Sequence, residues 1–484
     1  VYKRQPFLLP DDRPPLGYDA FLVRVAKLAH RLVKVGLAPG DRVVVQAPKT
    51  VEMVALYAAT IQAGGVFLPL NTAYTTDEVR YFVDDAEPRV IVTSDDLAPA
   101  LDALKGDATL LTLNSDGNGT LTQGLANAPD VFATVPRAPD DLAGLLYTSG
   151  TTGRSKGAMM THENLLSNAR SLVQLWQITK DDRLIHALPI FHTPGLFVAL
   201  NTTLLAGASV RFMERFDVDA VFQAFQTSTL MMGVPTFYTR LLADPRLHRE
   251  ATLNMRLFIS GSAPLLAETH DAFHEKTGHR ILERYGMTET NMITSNPYDG
   301  DRRAGTVGFP LPDVELRLTD PETNTEVPQG KVGMIEVRGP NVFKGYWRMP
   351  EKTSAELRDT GFFITGDLGQ ISDDGYISIV GRAKDLIITG GYNVYPKEIE
   401  DVLNQVDGIR ESAVFGIPDA DFGEAIVAAL VAEKDARTDD KSLADAVQQK
   451  LARFKHPKRY VWLEELPRNT MGKVQKNVLR DRFA

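Results

Sequence analysis

The chain has no cysteine, which excludes disulfides, Cys-ligated zinc and a cysteine nucleophile. A reducing, cytoplasmic setting is the expectation that fits. No apolar run approaches the ~18 residues that crossing a bilayer requires, and no signal-peptide pattern is visible. Excess positive charge is also lacking: Lys+Arg number 53 against 62 Asp+Glu, a formal net charge of −9. Neither nucleic acid nor a membrane is therefore an expected partner, and an anionic substrate has to be held by local cations. There is no internal repeat and no low-complexity tract. What remains is 484 residues with 43% hydrophobic and 24% charged content, the composition of a globular protein with two or more domains. Val1 to Pro15 carries no clear pattern, reads as a truncated start or a foreign scar, and is left out of the expected fold.

The remainder alternates. Phe21, Leu22, Val25, Leu28, Ala29, Leu32 and Val33 recur at helical spacing, with Gly36 closing the helix. Strands are expected at Arg42 to Gln46, Val66 to Leu70 and Val90 to Thr93, with a helix over Val51 to Ala63. Further strands are expected at Leu184 to Ala187, Leu230 to Val234 and Leu257 to Ile259, each followed by a helical segment. This order argues for parallel sheets covered on both faces. From about residue 300 Pro and Gly become frequent. Val314 to Leu318, Met334 to Val337 and Tyr376 to Val380 read as strands of a β-rich subdomain. A mixed segment follows, with a helix near Pro396 to Leu403, strands near Ala413 to Ile417 and Ile426 to Val431, and a helix near Leu443 to Leu451. A domain boundary is placed near Lys384.

The run Tyr147-Thr148-Ser149-Gly150-Thr151-Thr152-Gly153-Arg154-Ser155-Lys156-Gly157 carries the strongest chemical signal. Glycines let the backbone approach a ligand closely, and hydroxyls and backbone N–H groups can donate to phosphate oxygens. The apolar strand Leu142 to Leu146 enters it, and a helix capped by Thr161 is expected to follow, so the setting reads as strand, loop, helix. It is not a Walker A sequence, since Ser155 precedes Lys156 and Gly157 follows it. The bland alternative is a flexible linker, which does not ordinarily sit between a buried strand and a helix.

Four weaker constellations follow in order. Arg284-Tyr285-Gly286-Met287-Thr288-Glu289-Thr290 comes after an apolar strand at Arg280 to Leu282. It sets a hydroxyl beside a carboxylate, which suits phosphate and Mg²⁺ together. Read alone, it is equally a surface loop. Thr365-Gly366-Asp367 reads as a tight glycine turn whose carboxylate can accept from ribose hydroxyls. Gly381-Arg382-Ala383-Lys384-Asp385 is followed by Gly390-Gly391. Pro467-Arg468-Asn469-Thr470-Met471-Gly472-Lys473 lies near the end.

In this order and combination the motifs resemble those of the adenylate-forming enzymes: acyl-CoA synthetases, luciferases and the adenylation domains of peptide synthetases. The resemblance runs from about Tyr18 to the end. It implies an α/β fold: a large N-terminal domain of parallel-sheet α/β subdomains plus a β-rich subdomain (1–383, binding AMP and the acyl group), then a small mobile C-terminal α+β domain (384–484). It implies an acid–thiol ligase that uses ATP, Mg²⁺ and CoA on a small carboxylic acid, through an acyl-adenylate. Carried over by motif, Thr148, Ser149, Gly150, Thr151, Thr152, Gly153 and Lys156 wrap the β- and γ-phosphates. Thr288 touches the α-phosphate and Glu289 holds Mg²⁺, flanked by Tyr285, Gly286 and Met287. Gly261, Ser262, Ala263 and Pro264 form the adenine-side loop, and Asp367 and Arg382 hold the ribose. Lys384 is the hinge, Gly390 and Gly391 line the pantetheine route, and Lys473 bridges the attacking carboxylate and the α-phosphate.

The acyl pocket is expected to be made by Arg284, His192, Ser262 and Gly233. Many relatives acting on fatty or aromatic acids carry an uncharged residue where Arg284 stands. A buried Arg needs a partner, and a carboxylate can accept from it bidentately, so a second, distal carboxylate on the substrate is expected. The stretches around Gly233, Ser262, Arg284 and Gly345-Tyr346-Trp347-Arg348 are similar to those of malonyl-CoA synthetases, with methylmalonate as a side substrate. One departure is that Pro194 replaces the second His of that group's His-x-His-Gly. Arg284 could instead be structural, paired with Glu283 or Asp299, leaving another short dicarboxylic or a medium-chain acid as substrate. Loading a carrier protein in trans is another reading. A non-catalytic relative is a further one, against which Lys156, Glu289, Asp367, Arg382 and Lys473 all speak.

Overall fold

The structure, a computed structural model, describes residues 5–11, 13–148, 155–390, 392–433, 436, 439–469 and 472–484. Two sheets rich in parallel strands carry the first part of the chain. In the first, strands run in the order Thr109–Thr112, Val90–Thr93, Arg42–Gln46, Val66–Pro69, Leu142–Thr148, Lys156–Thr161; all neighbours are parallel except the last pair. Val66–Pro69 and Val90–Thr93 are buried at every residue, as expected of strands covered on both faces. Helix Tyr18–Lys34 buries Phe21, Val25, Leu28, Ala29 and Leu32, the spacing read from the sequence. Helix His162–Leu175 starts at a capping box in which Thr161 accepts from the Asn164 amide.

The second sheet runs Phe309–Pro310, Asn291–Ser295, Leu282–Met287, Leu257–Ser260, Leu230–Gly233, Arg183–His186, Ser209–Phe212, Pro6–Pro10, Leu16–Gly17. Its central strands are parallel and its two edges antiparallel. Pro6–Pro10 overturns the exclusion of the first residues. It pairs with Ser209–Phe212, and Phe7 and Leu8 are fully buried. Five residues bounded by two prolines show no period of their own, so only their neighbours define the strand. The β-rich region is an antiparallel sheet of Glu315–Thr319, Gly333–Arg338, Phe363–Ile371 and Ile377–Arg382. The C-terminal part packs helices Pro396–Leu403 and Asp440–Lys450 on a sheet built around Ile409–Asp419 and Gly423–Ala432. The whole is the mixed α/β fold with several sheets and a C-terminal domain that the sequence implied.

Three local expectations are corrected. An unexpected strand stands between the Gly-rich run and its helix: Lys156–Thr161 returns antiparallel with Thr148 opposite Lys156, and the helix then starts at the expected cap, Thr161. The residues between Thr148 and Ser155 lie outside the described residues. Arg284 to Met287 is not a surface loop; it is the end of strand Leu282–Met287, which pairs in parallel with Leu257–Ser260 and then antiparallel with Asn291–Ser295. Asp367 is not in a tight turn but within strand Phe363–Ile371, directly opposite Arg382. Gly366, at φ +73°, supplies the irregularity that made Thr-Gly-Asp look like a turn.

Candidate active site

The site collects at the carboxyl ends of the parallel strands, where open α/β sheets place ligands. At one end polar side chains satisfy each other. Arg382 Nε lies 2.6 Å from Asp367 Oδ1, and the Tyr285 hydroxyl donates to Asp367 Oδ2 at 2.5 Å. The Glu289 carboxylate is buried, with one oxygen 3.0 Å from the Tyr346 oxygen, and it accepts from the Thr148 hydroxyl at 3.5 Å. Burial raises its pKa, against hydrogen bonds and the charges of Lys156 and Arg382. Lys156 Nζ lies 3.1 Å from the Tyr346 oxygen and 3.3 Å from Glu356 Oε2, which itself accepts from Tyr346 at 2.6 Å. One chain of contacts thus joins Lys156, Glu356, Tyr346 and Glu289. Tyr346 and Glu356 were missed as site residues. The Gly-Tyr-Trp run was noticed only as a resemblance, and nothing near Glu356 sets it apart from other helix-surface carboxylates.

The other end is left open. Arg284 is 4% exposed, and its Nε has no hydrogen-bond partner among the described residues. The alternative pairing with Glu283 or Asp299 is not formed: Glu283 accepts from the Leu265 amide, and Asp299 from Gln177. Successive residues of a strand point to opposite faces, which sends Glu283 and Arg284 apart. Burial brings the Arg284 guanidinium down to about 10 and pushes the Glu283 carboxyl up to about 8. Gly261 makes room for Arg284, since a Cβ there would lie 2.5 Å from the guanidinium. Ser262 follows at φ +72° with a buried, unpartnered hydroxyl, and Ala263 and Pro264 continue the loop toward helix Ala267–Thr277. Gly233 ends its strand against Phe237 and Tyr238.

His192 has a buried Nε2 without a partner. Its pKa is brought down to about 4, first by burial and then by the charge of Lys473. It lines a small cavity with Thr288, Phe191 and Tyr147. Pro194 falls in the first turn of the π-helical segment Pro194–Leu200, where a missing N–H costs no intrahelical bond.

The C-terminal part reaches this site. A Cβ on Gly472 would lie 3.8 Å from Thr236, and Lys473 feels the charges of Arg382, Asp367, Glu289 and Arg284. Lys473 keeps a water-exposed surface, yet the protein around it lowers its pKa, through desolvation first and Arg382 second. Lys384 sits exposed on the single turn Ala383–Asp385. Gly390, at φ +57°, donates to the Phe422 carbonyl and is not among the residues gathered around Lys473. Ser149, Gly150, Thr151, Thr152, Gly153 and Gly391 lie outside the described residues. Among the described residues no group of three or more His, Cys, Asp or Glu could hold a metal by themselves, and no helix is long and apolar enough to cross a membrane.

Known proteins resemble this chain in sequence and fold. The AMP-binding enzyme family matches residues 4–347, and the AMP-binding enzyme C-terminal domain matches residues 398–473. A malonate–CoA ligase of Arabidopsis thaliana is 36% identical, covering 92% of this chain and 78% of its own. A feruloyl-CoA synthase of Amycolatopsis is 35% identical over 97% and 94%. The ATP-bound crystal structure of MatB from Rhodopseudomonas palustris is 55% identical, with a TM-score of 0.98 over 99% of this chain and 96% of that one. Apo MatB superposes with a TM-score of 0.88. The chain belongs to the AMP-binding enzyme family. It is an AMP-forming acid–thiol ligase whose substrates are ATP, CoA and a small carboxylic acid.

Proposed function

We propose that the acid is malonate, with methylmalonate as a second substrate, and that the product is malonyl-CoA. The observation that carries this is Arg284: a buried guanidinium beside a buried free hydroxyl, with no carboxylate of the protein paired to it among the described residues. A buried charge without hydrogen-bond or ionic partners is costly, and the distal carboxylate of a short diacid supplies the partner. The malonate–CoA ligase and MatB similarities support the reading; the feruloyl-CoA synthase similarity shows that family membership does not choose the acid.

The chemistry runs in two steps. A carboxylate oxygen attacks the α-phosphorus and pyrophosphate leaves; the CoA sulfur then attacks the acyl carbon and AMP leaves. In our reading Thr148 to Lys156 hold the β- and γ-phosphates, Thr288 the α-phosphate, the loop 261–264 the adenine, and Asp367 and Arg382 the ribose. Lys473 faces the charge that develops between carboxylate and α-phosphate, usually the largest catalytic contribution. His192 and Gly233 wall the acyl pocket. Glu289 fits a divalent cation, being a buried carboxylate that forms no ion pair among the described residues. Mg²⁺ held there would neutralise phosphate charge. Residues 1–383 and 384–484 act as separate bodies turning about Lys384, and Gly390 and Gly391 then line the thiol route. ATP and CoA as substrates fit a cytoplasmic setting.

The test is pyrophosphate release with ATP, Mg²⁺ and CoA over malonate, methylmalonate, succinate, acetate, propionate and octanoate. A peak at malonate that Arg284→Ala flattens is expected. A peak at a monocarboxylate would reassign Arg284 to structure.

A further inference from the structure

Lys49 lies just before helix Val51–Gln62, in the first sheet's territory, yet its ammonium reaches into the second. Nζ is 3.0 Å from the His186 carbonyl, 3.0 Å from His186 Nδ1 and 2.9 Å from the Leu188 carbonyl. His186 is fully buried at the end of its strand, and its Nε2 lies 2.8 Å from the Gly195 carbonyl. Four contacts need four hydrogens. An ammonium supplies three and a neutral imidazole protonated on Nε2 supplies one, with Nδ1 accepting. The pair therefore holds one positive charge, although Lys49 forms no ion pair among the described residues; Glu214 and Asp11 act on it only over longer range. Burial lowers the pKa of both groups. Phe212 packs against both, 4.7 Å from Nζ to the ring centre and 5.7 Å from the imidazole.

The acceptors are the two ends of one segment. Leu188 opens it, Gly195 closes it, and His192 lies between. The segment has no strand or helix pairing over most of its length. Gly195 also lies tight against Pro189: a Cβ there would be 2.0 Å from the Pro189 carbonyl oxygen. The loop is thus closed on itself, tied at Leu188 to the buried ammonium and at Gly195 to the imidazole that the ammonium holds. His192 makes no side-chain hydrogen bond through Nε2 that could hold it from the other direction.

We propose that Lys49 and His186 are positioning residues of the acyl site, a clamp that holds the segment 188–195 so that His192 faces the acid. The clamp rests on the reading of His192 as an acyl-pocket residue, and its position explains why a costly buried cation is kept where a well-packed apolar group would be at least as stable.

The test uses the full-length enzyme and whichever acid the wild type prefers. Lys49→Met and His186→Leu are expected to raise the acid KM ~10- to 100-fold, the penalty of misplacing a contact group by about 1 Å, with the ATP KM within about twofold. His186→Gln, which retains a donor toward Gly195, recovers part of the loss. Arg256→Met, which breaks the buried ion pair with Asp182 elsewhere in this sheet, controls for stability: it lowers the melting temperature and leaves the acid KM in place. In histidine-labelled protein, the His192 resonance, assigned with His192→Ala, shifts or broadens in Lys49→Met. Equal rises in both KM values, or an unmoved His192 resonance, overturn the clamp. If His192→Ala leaves the acid KM unchanged, the acyl-pocket reading fails, and the resonance still decides whether the clamp holds the loop.

Discussion

The two ends of the cleft are built on opposite plans. At the end assigned to the nucleotide, Arg382, Asp367 and Tyr285 satisfy each other, and Lys156, Glu356, Tyr346 and Glu289 form a closed run of contacts. At the end assigned to the acid, Arg284 Nε, Ser262 Oγ and His192 Nε2 are buried without partners. Buried polar groups are nearly always paired. Neutral orphans occur elsewhere too, at Asn291 and Asn341 among others, so it is the unpaired charge of Arg284 that points to a partner the ligand brings. The satisfied end is preorganised and has to exchange existing bonds for phosphate and ribose contacts; the open end gains bonds without breaking any. Nucleotide binding is therefore expected to depend on rigidity, and acid selection on complementarity.

The sharpest way to break this contrast is at Lys473, which lies between the ends. Lys473→Ala should lower pyrophosphate release ~10³-fold, the upper range for losing one electrostatic donor, while thioester formation from added acyl-adenylate stays within a few-fold. Equal loss in both half-reactions would remove Lys473 from the adenylation step. Arg284→Met comes next. Malonate kcat/KM should fall ~100-fold, as for losing charge-assisted bonds to a carboxylate, with the melting temperature unchanged or higher because no paired charge is abandoned. Arg382→Met should do the reverse to stability. It strands the buried Asp367 carboxylate, and chemical denaturation should show a loss of about 2 kcal/mol, moderated because the guanidinium is partly exposed. If Arg284→Met destabilises as much as Arg382→Met, the two ends are not differently built.

The smallest effect is with pH. His192 titrates at about 4 in the folded chain against 6.5 in the unfolded one. The unfolded state therefore binds the proton first as pH falls. Its share of stability is intact above about 6.5 and is lost as pH drops toward 4. His192→Gln should remove about 1 kcal/mol of the stability lost between pH 7 and pH 5.5, read from urea midpoints. His186, brought down to about 3, adds a loss in the same direction that the variant leaves in place.

Much of this could be read along the chain. Strands Arg42–Gln46 and Val90–Thr93 and helix Pro396–Leu403 begin and end where pattern and punctuation put them. Each is a short apolar run or amphipathic stripe bounded by Gly, Pro or a polar turn, so local sequence carries its limits. The motif order was enough to name the chemistry, because Lys156, Glu289, Asp367, Arg382 and Lys473 each sit in a distinctive local pattern. Contacts made at a distance were not legible. Pro6–Pro10 is a strand only because Ser209–Phe212 lies beside it. Lys156–Thr161 reads as the lead-in to a helix until Leu142–Thr148 pairs with it. Whether Arg284 has a partner, that Glu356 meets Lys156 some 200 residues away, and that Lys49 donates to the His186 and Leu188 carbonyls of the other sheet are facts of packing. Local pattern records which face a residue shows to its own element; which charge meets which, and which is left for a ligand, is decided only when distant elements close around it.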